Sequence, residues 1–212
     1  VGFYSITSTE AGTGVTNTSY VNVTAGSISR IDLTPQASSI VAGVNQSFTA
    51  IGYDAFNNVN NSGIAYSSNG SIDSTGYFDS VATGLYSVNA TDAGTGAVNS
   101  TTILVTADAV VRIALTPIDS SIVAGSNQSF TATGYDAWNN VNNSGLSFAS
   151  NGSINSSGYF TSTGANTYQV NATIGSIVNS TLVNVTAGSI TQIDLTPVAT
   201  TIAAGVNQSF TA

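Results

Sequence analysis

The sequence predicts an all-β protein built of tandem antiparallel β-sandwiches, and two observations support this prediction. The first is an internal repeat: the run Leu-Thr-Pro recurs with spacings of 82 and 80 residues, and so does the run Asn-Gln-Ser-Phe-Thr-Ala. The second is the hydrophobic pattern, which alternates with a period of two and contains no helical stretch. About seven short strands per repeat fit a two-sheet sandwich, because each sheet then buries one apolar face.

The repeat divides the chain into four segments. Two complete repeats, 26–107 and 108–187, are flanked by two partial ones. Residues 1–25 match the last part of a repeat, and residues 188–212 match the first part. We therefore expect the chain to be a window on a longer array of domains. Only two to four residues separate the last strand of one repeat from the first strand of the next, which restricts the angle between neighbours.

Each repeat begins with a short predicted strand that a proline ends. Ile31 and Leu33 alternate with polar residues, and Pro35 then ends the strand. Further along, Phe48 and Ala50 point to one face while their neighbours point to the other. The alternation predicts that these four apolar side chains face the core.

The middle and end of the repeat continue this pattern. Asn69-Gly70 and Asn151-Gly152 stand between short apolar runs, and the sequence predicts two-residue hairpin turns with positive φ at both pairs. Two longer strands follow, with one face formed by Tyr86, Val88 and Ala90 and by Thr101, Ile103 and Val105.

The order of these motifs resembles a known family. I-x-L-T-P is followed by SSIVAG, NQSFTA-x-GYDA, S-NGSI-x-S-x-GYF and a last strand ending in VTA. This order is similar to the bacterial immunoglobulin-like (Big) tandem repeats of prokaryotic and archaeal cell-surface proteins, adhesins and surface-layer (S-layer) proteins. The resemblance covers essentially the whole chain and implies tandem immunoglobulin-like antiparallel β-sandwiches. Tyr86, Tyr168 and Tyr4 stand where such folds often place a buried tyrosine. No cysteine pair is present.

Composition excludes several classes of function. The chain has two Arg, no Lys, His or Cys, and a net charge of −8. It therefore lacks an imidazole base, a thiolate and a Schiff-base lysine, and phosphate backbones would repel it. Ten acidic residues are spread singly and form no pair suited to glycoside hydrolysis. We expect no enzyme activity, no catalytic or metal site, no nucleic-acid partner and no membrane insertion, since no apolar run reaches the length of a bilayer span.

Asparagine is unusually often followed by a hydroxyl two residues later. Alternation alone generates Asn-x-Ser/Thr on an outward strand face, so a polar row is one explanation. Asn is a poor strand former, however, and an almost uncharged surface gains solubility from sugars, which favours N-glycosylation. The predicted sites are Asn17, Asn22, Asn45, Asn60, Asn69, Asn89, Asn99, Asn127, Asn142, Asn151, Asn155, Asn171, Asn179, Asn184 and Asn207.

One loop of each repeat concentrates polar residues. It contains Asp54, Asn57, Asn58 and Asn60 in the first complete repeat, and Asp136, Asn139, Asn140 and Asn142 in the second. Such oxygens are ligands for Ca²⁺, but one carboxylate per loop is few, and Asn is also an ordinary turn residue. A plain polar loop is the default interpretation and Ca²⁺ binding the alternative; otherwise we expect no cofactor beyond N-linked glycans.

An aromatic residue stands in this loop in both repeats, as Phe56 and Trp138. The ordinary interpretation is a ring that closes the edge of a sandwich core. The alternative is an exposed ring that stacks on a sugar.

These features predict a structural repeat segment of an extracellular, cell-surface protein, bacterial or archaeal, that builds a filament, a stalk or an S-layer. Its partners are then copies of itself or further repeats of the same chain, including association by strand exchange. The alternative is an adhesin-type binding module that recognises glycans or a surface receptor through the repeated Asn-rich loops. A third interpretation is the non-catalytic spacer of an enzyme.

Overall fold

The computed structural model describes all 212 residues and consists of β-strands and connecting turns. It forms two compact units, Val1–Val111 with Tyr135–Asn142, and Arg112–Gly134 with Asn143–Ala212. The structure confirms the prediction of an all-β fold. It contains no helix with the length and hydrophobicity that a membrane span requires.

The first unit contains eleven strands in four sheets. The strands are β1 (Gly2–Thr9), β2 (Thr16–Val23), β3 (Arg30–Thr34), β4 (Ser38–Val41), β5 (Gln46–Ser47), β6 (Thr49–Tyr53), β7 (Ile64–Ser68), β8 (Ser71–Ile72), β9 (Tyr77–Asp79), β10 (Gly84–Asp92) and β11 (Val98–Thr106). The largest sheet has the order β4-β11-β10-β7, and the smaller ones are β3-β6, β5-β9-β8 and β1-β2. One hydrophobic cluster joins the large sheet to β3 and to the β5-β9-β8 sheet.

The second set of strands repeats this arrangement. The strands are β12 (Arg112–Thr116), β13 (Ser120–Val123), β14 (Asn127–Ser129), β15 (Thr131–Tyr135), β16 (Ser147–Ser150), β17 (Ser153–Ile154), β18 (Tyr159–Thr161), β19 (Asn166–Ile174) and β20 (Ile177–Thr186). Their sheets have the orders β13-β20-β19-β16, β12-β15 and β14-β18-β17.

The predicted alternation is confirmed at the core. Ile31 and Leu33 are buried on β3, and Val88 and Ala90 on β10. Phe48 is also buried, in the break between β5 and β6, where its N–H donates to the carbonyl of Gly76 at 2.8 Å. This break divides one predicted strand into two that belong to different sheets. It is one reason why nine strands form where the sequence indicated about seven.

The four-stranded sheets contain a parallel pair that the sequence pattern did not predict. β4 runs parallel to β11, with Ser38–Val41 opposite Ile103–Thr106, and β13 pairs with β20 in the same way. All other strand pairs with a described register are antiparallel.

The prediction of two-residue hairpin turns at the Asn-Gly pairs was wrong. β7 and β8 flank Asn69-Gly70 but belong to different sheets, and neither residue has a positive φ. Asn69 Oδ1 instead accepts the N–H of Ser87 at 2.8 Å. Glycine is required at position 70 because a Cβ there would lie 2.7 Å from the Tyr86 ring. Asn151 and Gly152 repeat both features against Gln169 and Tyr168.

Candidate functional site

The polar loops that the sequence singled out form the same compact structure twice. We call Asp54–Asn60 the first Asp-Asn loop and Asp136–Asn142 the second; both lie in the first compact unit. Each loop is a tight turn, in which Asn57 N–H donates to Asp54 C=O at 3.1 Å and Asn139 N–H to Asp136 C=O at 3.2 Å. Asn57 and Asn139 have φ of 63° and 67°, a region that asparagine tolerates better than most residues.

The first loop is organised around the buried carboxylate of Asp54. Its Oδ1 accepts the backbone N–H groups of Phe56 and Asn58, each at 2.9 Å. Its Oδ2 accepts the N–H of Gly26 and the side-chain Nδ2 of Asn58, also at 2.9 Å. Four donors therefore fill the acceptor positions that a carboxylate offers.

The carboxylate of Asp136 has the same partners at the equivalent positions. Its Oδ1 accepts the N–H groups of Trp138 and Asn140 at 2.9 and 2.8 Å. Its Oδ2 accepts the N–H of Asp108 at 3.1 Å and Nδ2 of Asn140 at 2.8 Å. The arrangement is thus a property of the repeated sequence, since two independent loops reproduce it.

Hydrogen bonding keeps both carboxylates ionised. The Asn58 side chain, and then the N–H of Gly26, lower the pKa of Asp54 far below its ordinary value. Burial acts to raise the pKa of Asp136, but hydrogen bonds from Asn140, Asp108 and Trp138 outweigh it and lower the pKa. Because donors to a carboxylate favour its charged form, each loop is most stable with its aspartate deprotonated.

A second side chain of each loop binds the same linker residue. Asn60 Nδ2 donates to the carbonyl of Gly26 at 2.8 Å, and Asn142 Nδ2 to the carbonyl of Asp108 at 2.9 Å. Gly26 lies between β2 and β3, and Asp108 lies between β11 and β12. Together with the aspartate, each loop therefore holds both the N–H and the C=O of one linker residue, which fixes the backbone where two strands join.

Each loop also contacts residues that precede its linker by about 25 positions in the sequence. Asn140 Nδ2 donates to the carbonyl of Val81 at 2.8 Å, and Asn140 Oδ1 accepts the N–H of Thr83 at 3.2 Å. In the first loop, Asn58 Oδ1 accepts the amino terminus of Val1 at 3.5 Å. Val1 stands in the same place of the repeat as Thr83. Asn58 and Asn140 occupy matching positions of the loop, and both contact the same position of the repeat, Val1 and Thr83 respectively.

The two loop aromatics do not close a sandwich core, so the ordinary interpretation from sequence was wrong. Trp138 packs on Gly43, which leaves 41% of its side chain exposed. Phe56 is 84% exposed. Trp138 therefore packs on a turn of the first compact unit, whereas Phe56 is largely exposed.

The sequon asparagines fall into three groups that the sequence did not separate. Four of them use Nδ2, the atom that would carry a glycan, to bind a backbone carbonyl: Asn60, Asn142, Asn99 and Asn179. Nine are exposed: Asn17, Asn22, Asn45, Asn69, Asn127, Asn151, Asn155, Asn184 and Asn207. Asn89 and Asn171 are half-buried. A signal for the first group was their recurrence at matching repeat positions, but exposed sequons such as Asn69 and Asn151 recur as well.

The acidic groups are too far apart for a metal cluster of three or more. No group of three His, Cys, Asp or Glu side chains forms a candidate metal site. A cation at Asp54 or Asp136 would have to displace the N–H donors that occupy both oxygens. The hydrogen bonds of each aspartate carboxylate therefore join the loop to the linker, and they are strengthened by the charge of the carboxylate.

Comparison with known proteins finds a similar sequence. No protein-family model matches the chain. The chain is similar to "Ice-binding protein 1" of Shewanella frigidimarina (strain NCIMB 400), with 29% identity over 200 residues. The match covers 87% of this chain and 22% of the relative, so the chain spans less than a quarter of that protein.

Solved structures to which the chain is similar include the following three. The S-layer protein rSbsC(31-844) matches with a TM-score of 0.42 at 15% identity, over 89% of this chain and 35% of that one. The protocadherin GammaB4 extracellular domain matches with 0.47 at 15% identity, over 89% and 38%. Sidekick-1 immunoglobulin domains 1-5 match with 0.42 at 14% identity, over 90% and 48%. The assignment of a β-sandwich rests on this chain's own strand pairing.

Proposed function

We propose that this chain is a structural repeat segment of an extracellular, cell-surface protein, in which the Asp-Asn loops lock successive repeats together. The repeats are 26–107 and 108–187, with partial repeats at 1–25 and 188–212. The observation that carries the proposal is the contact of Asn140 with Val81 and Thr83, which Asn58 repeats with Val1. A loop that only recognised a ligand would present these polar atoms to solvent.

The mechanism is mechanical. In each loop the aspartate and one asparagine bind the linker, and a second asparagine binds the last part of the preceding repeat. Bending at the junction therefore breaks several hydrogen bonds at once. Hydrogen bonds to a charged group contribute about 1.5–3 kcal/mol each, more than neutral ones. Short linkers without a flexible Gly/Ser tract add to the stiffness. The segment is non-catalytic in this proposal.

The composition of the protein surface is suited to an extracellular protein. With two basic residues in 212, the surface offers trypsin-like proteases two sites, and its solubility depends on polar side chains. N-linked glycans on the exposed sequons would extend that protection. The Big-type motifs support assignment of the segment to a surface-layer, filament or stalk protein of a bacterium or an archaeon.

Electron microscopy of the protein isolated from its source tests the proposal. We expect continuous fibres or sheets whose period corresponds to one or two repeats. Thin rods ending in a distinct head would make the segment a passive stalk within the same structural class. Compact particles with no repeating substructure would contradict the proposal.

An adhesive role is the second candidate, and the relative named for binding ice favours it. One face of the β1–β2 hairpin carries paired hydroxyl side chains: Thr7 lies opposite Thr18, and their Oγ1 atoms are 3.1 Å apart. Thr9 lies opposite Thr16 on the same face. Thermal hysteresis and inhibition of ice recrystallisation by the purified chain would support this role. A freezing curve identical to that of buffer, together with an empty glycan array, would exclude both ice and glycan ligands.

A further inference from the structure

Two neighbouring strands of the large sheet lie near opposite ends of each complete repeat in the sequence. In the first repeat these strands are β4 and β11, and they pair in parallel, with Ser38–Val41 opposite Ile103–Thr106. A pull on the two ends of the repeat therefore draws β4 toward its amino end and β11 toward its carboxyl end. This load acts along the strands, so the evenly spaced hydrogen bonds of the parallel pair have to break together.

Further contacts strengthen the β4–β11 pair. The N–H of Ala42 extends the pairing by donating to the carbonyl of Thr106 at 2.8 Å, and Thr106 Oγ1 donates to the carbonyl of Ile40 at 3.3 Å. Ile40 and Val105 lie opposite each other on the inner face of the sheet and are both buried. Because the core covers that face, water competes poorly for these hydrogen bonds.

Two side chains of β11 hold the part of the chain that precedes β4. Asn99 Nδ2 donates to the carbonyl of Ile31 on β3 at 2.8 Å, and Oγ1 of the buried Thr101 accepts the N–H of Ala37 at 2.9 Å. Ala37 has a φ of 47°, a conformation that residues with a side chain seldom adopt. A pull on the amino end of the repeat meets both contacts before it reaches β4.

The second repeat has the same contacts at the equivalent positions. β13 pairs in parallel with β20. The contacts join Asn179 to Ile113 at 2.8 Å, Thr181 to Asp119 at 2.8 Å, Ala124 to Thr186 at 2.9 Å and Thr186 to Ile122 at 3.3 Å. Asp119 takes the place of Ala37 with the same φ of 47°, so the hydrogen bond to threonine depends on the backbone and not on that side chain.

We propose that β4 and β11, with Asn99 and Thr101, form a clamp that bears tension along the chain; we call it the first clamp. β13 and β20, with Asn179 and Thr181, form the second clamp. The other strands bear little load until the clamp of their repeat has broken. The force that unfolds a repeat then depends on the direction of the pull as well as on the free energy of unfolding. The proposal deepens the structural role and rests on it, since a surface filament or stalk is stretched when flow pulls on it.

Stretching the 212-residue chain by its two ends at constant force tests the proposal. Each complete repeat should open in one long step. Thr101→Val keeps the shape of the side chain and removes the acceptor of the Ala37 N–H. It should shorten the lifetime of one of the two steps about fivefold, the effect of losing one hydrogen bond of ordinary strength, and leave the other step unchanged. Adding Thr181→Val should shorten both lifetimes.

Tyr66→Phe is the matched control for Thr101→Val. Tyr66 Oη accepts the N–H of Ala50 at 2.7 Å, so this variant also removes a hydroxyl acceptor from a backbone N–H. Tyr66 lies on β7, at the opposite edge of the sheet from β4, and its counterpart in the second repeat is Phe148. In urea it should destabilise the protein about as much as Thr101→Val does. Both lifetimes under force should stay unchanged, because its contact is still intact when the clamp breaks. Equal lifetimes for the two variants would overturn the proposal.

The direction of the pull gives a second test that needs neither variant. The chain contains no cysteine, so Val44→Cys and Ala107→Cys provide two attachment points, both at the carboxyl end of the first clamp. Pulling there peels the same hydrogen bonds apart one after another and should open the first repeat at a lower force than pulling on the chain ends does. Equal forces in the two directions would overturn the proposal. That result would not affect the fibres expected in electron microscopy, and an absence of fibres would not affect the directional resistance, so the two failures are distinguishable.

Discussion

The indole of Trp138 lies on Gly43 so closely that a Cβ added to Gly43 would stand 2.4 Å from Cη2 of the ring. Gly43 also has a φ of 81°, which disfavours any residue with a side chain. Ninety-five residues separate the two positions, and both belong to the first compact unit. Glycine at position 43 therefore serves the contact with the second Asp-Asn loop as well as the turn.

Replacing Gly43 by alanine should destabilise the protein through both effects. The positive φ costs roughly 1–2 kcal/mol, and displacing the ring adds about 1–3 kcal/mol. Gly125 is the matched control, because it is the repeat counterpart with a φ of 88° and nothing lies within 4 Å of its added Cβ. Urea denaturation of both variants measures the difference. Equal losses for Gly43→Ala and Gly125→Ala would mean that the Trp138 contact does not form.

Removing the carboxylate of Asp136 should leave the partly buried N–H groups of Asp108, Trp138 and Asn140 without an acceptor. An unsatisfied buried donor costs about 1–3 kcal/mol, so we expect Asp136→Ala to lose at least that much free energy of unfolding. Asp79 is exposed, and Asp79→Ala should stay within about 0.5 kcal/mol of the unmodified protein. If both variants unfold at the same denaturant concentration, the loop does not stabilise the fold.

Stability should fall in acid. The folded-state pKa values of Asp54 and Asp136 lie below the ordinary value of about 3.9 for an unfolded aspartate. The ionised carboxylates therefore stabilise the folded state above roughly pH 4, and this contribution is lost as the pH falls through the folded pKa values. Melting temperatures between pH 7 and pH 2 measure the loss, which should be smaller in Asp136→Ala. A melting temperature that does not change down to pH 2 would contradict the role of these groups.

Glycan occupancy should follow the side-chain contacts. We expect site-resolved mass spectrometry of native material to find glycans at exposed sequons such as Asn69 and Asn151, where Oδ1 makes the backbone hydrogen bonds. Asn99 and Asn179 should be bare, because their Nδ2 atoms bind the carbonyls of Ile31 and Ile113. Glycans at these two positions, or none at any exposed position, would refute the prediction.

Calcium should not stabilise the loops. Both oxygens of Asp54 and of Asp136 already accept hydrogen bonds from N–H donors. Because Ca²⁺ needs six to eight oxygen ligands and each loop has one carboxylate, binding the ion would stabilise the loop less than losing these hydrogen bonds would destabilise it. Calorimetric titration with Ca²⁺ should give no binding heat, and the melting temperature should match that measured in EDTA. A rise in melting temperature with Ca²⁺ that Asp136→Ala removes would establish a calcium site instead.

The strands and core were predictable because their signal is local. Ile31 and Leu33 alternate with polar neighbours on one short strand, and the period of two is visible without knowing what the strand packs against. The prediction of hairpin turns at the Asn-Gly pairs was wrong because this dipeptide is typical of hairpin turns in proteins generally. At Asn69-Gly70 the requirement comes from Ser87 and Tyr86, which lie far along the chain.

The loop contacts were not predictable for the same reason. Asp136 and Asp108 are 28 residues apart, and Asn140 and Val81 are 59 apart. Asn, Asp and Gly in a loop are equally typical of a turn, a cation site and a docking element, and only the positions of the donors separate these roles. The two loops differ only at Phe56 and Trp138, and this similarity marked the loop as a repeated feature without indicating what it contacts.

Hydrogen exchange at the Thr83 amide tests most directly the claim that the Asp-Asn loop holds the repeats together. In the unmodified protein this N–H donates to Asn140 Oδ1 and should exchange slowly. In Asn140→Ala it should exchange at the rate of an exposed amide, while the amide of Val88 in the core of β10 stays protected. Rapid exchange of Thr83 in the unmodified protein, or protection that survives Asn140→Ala, would contradict the claim.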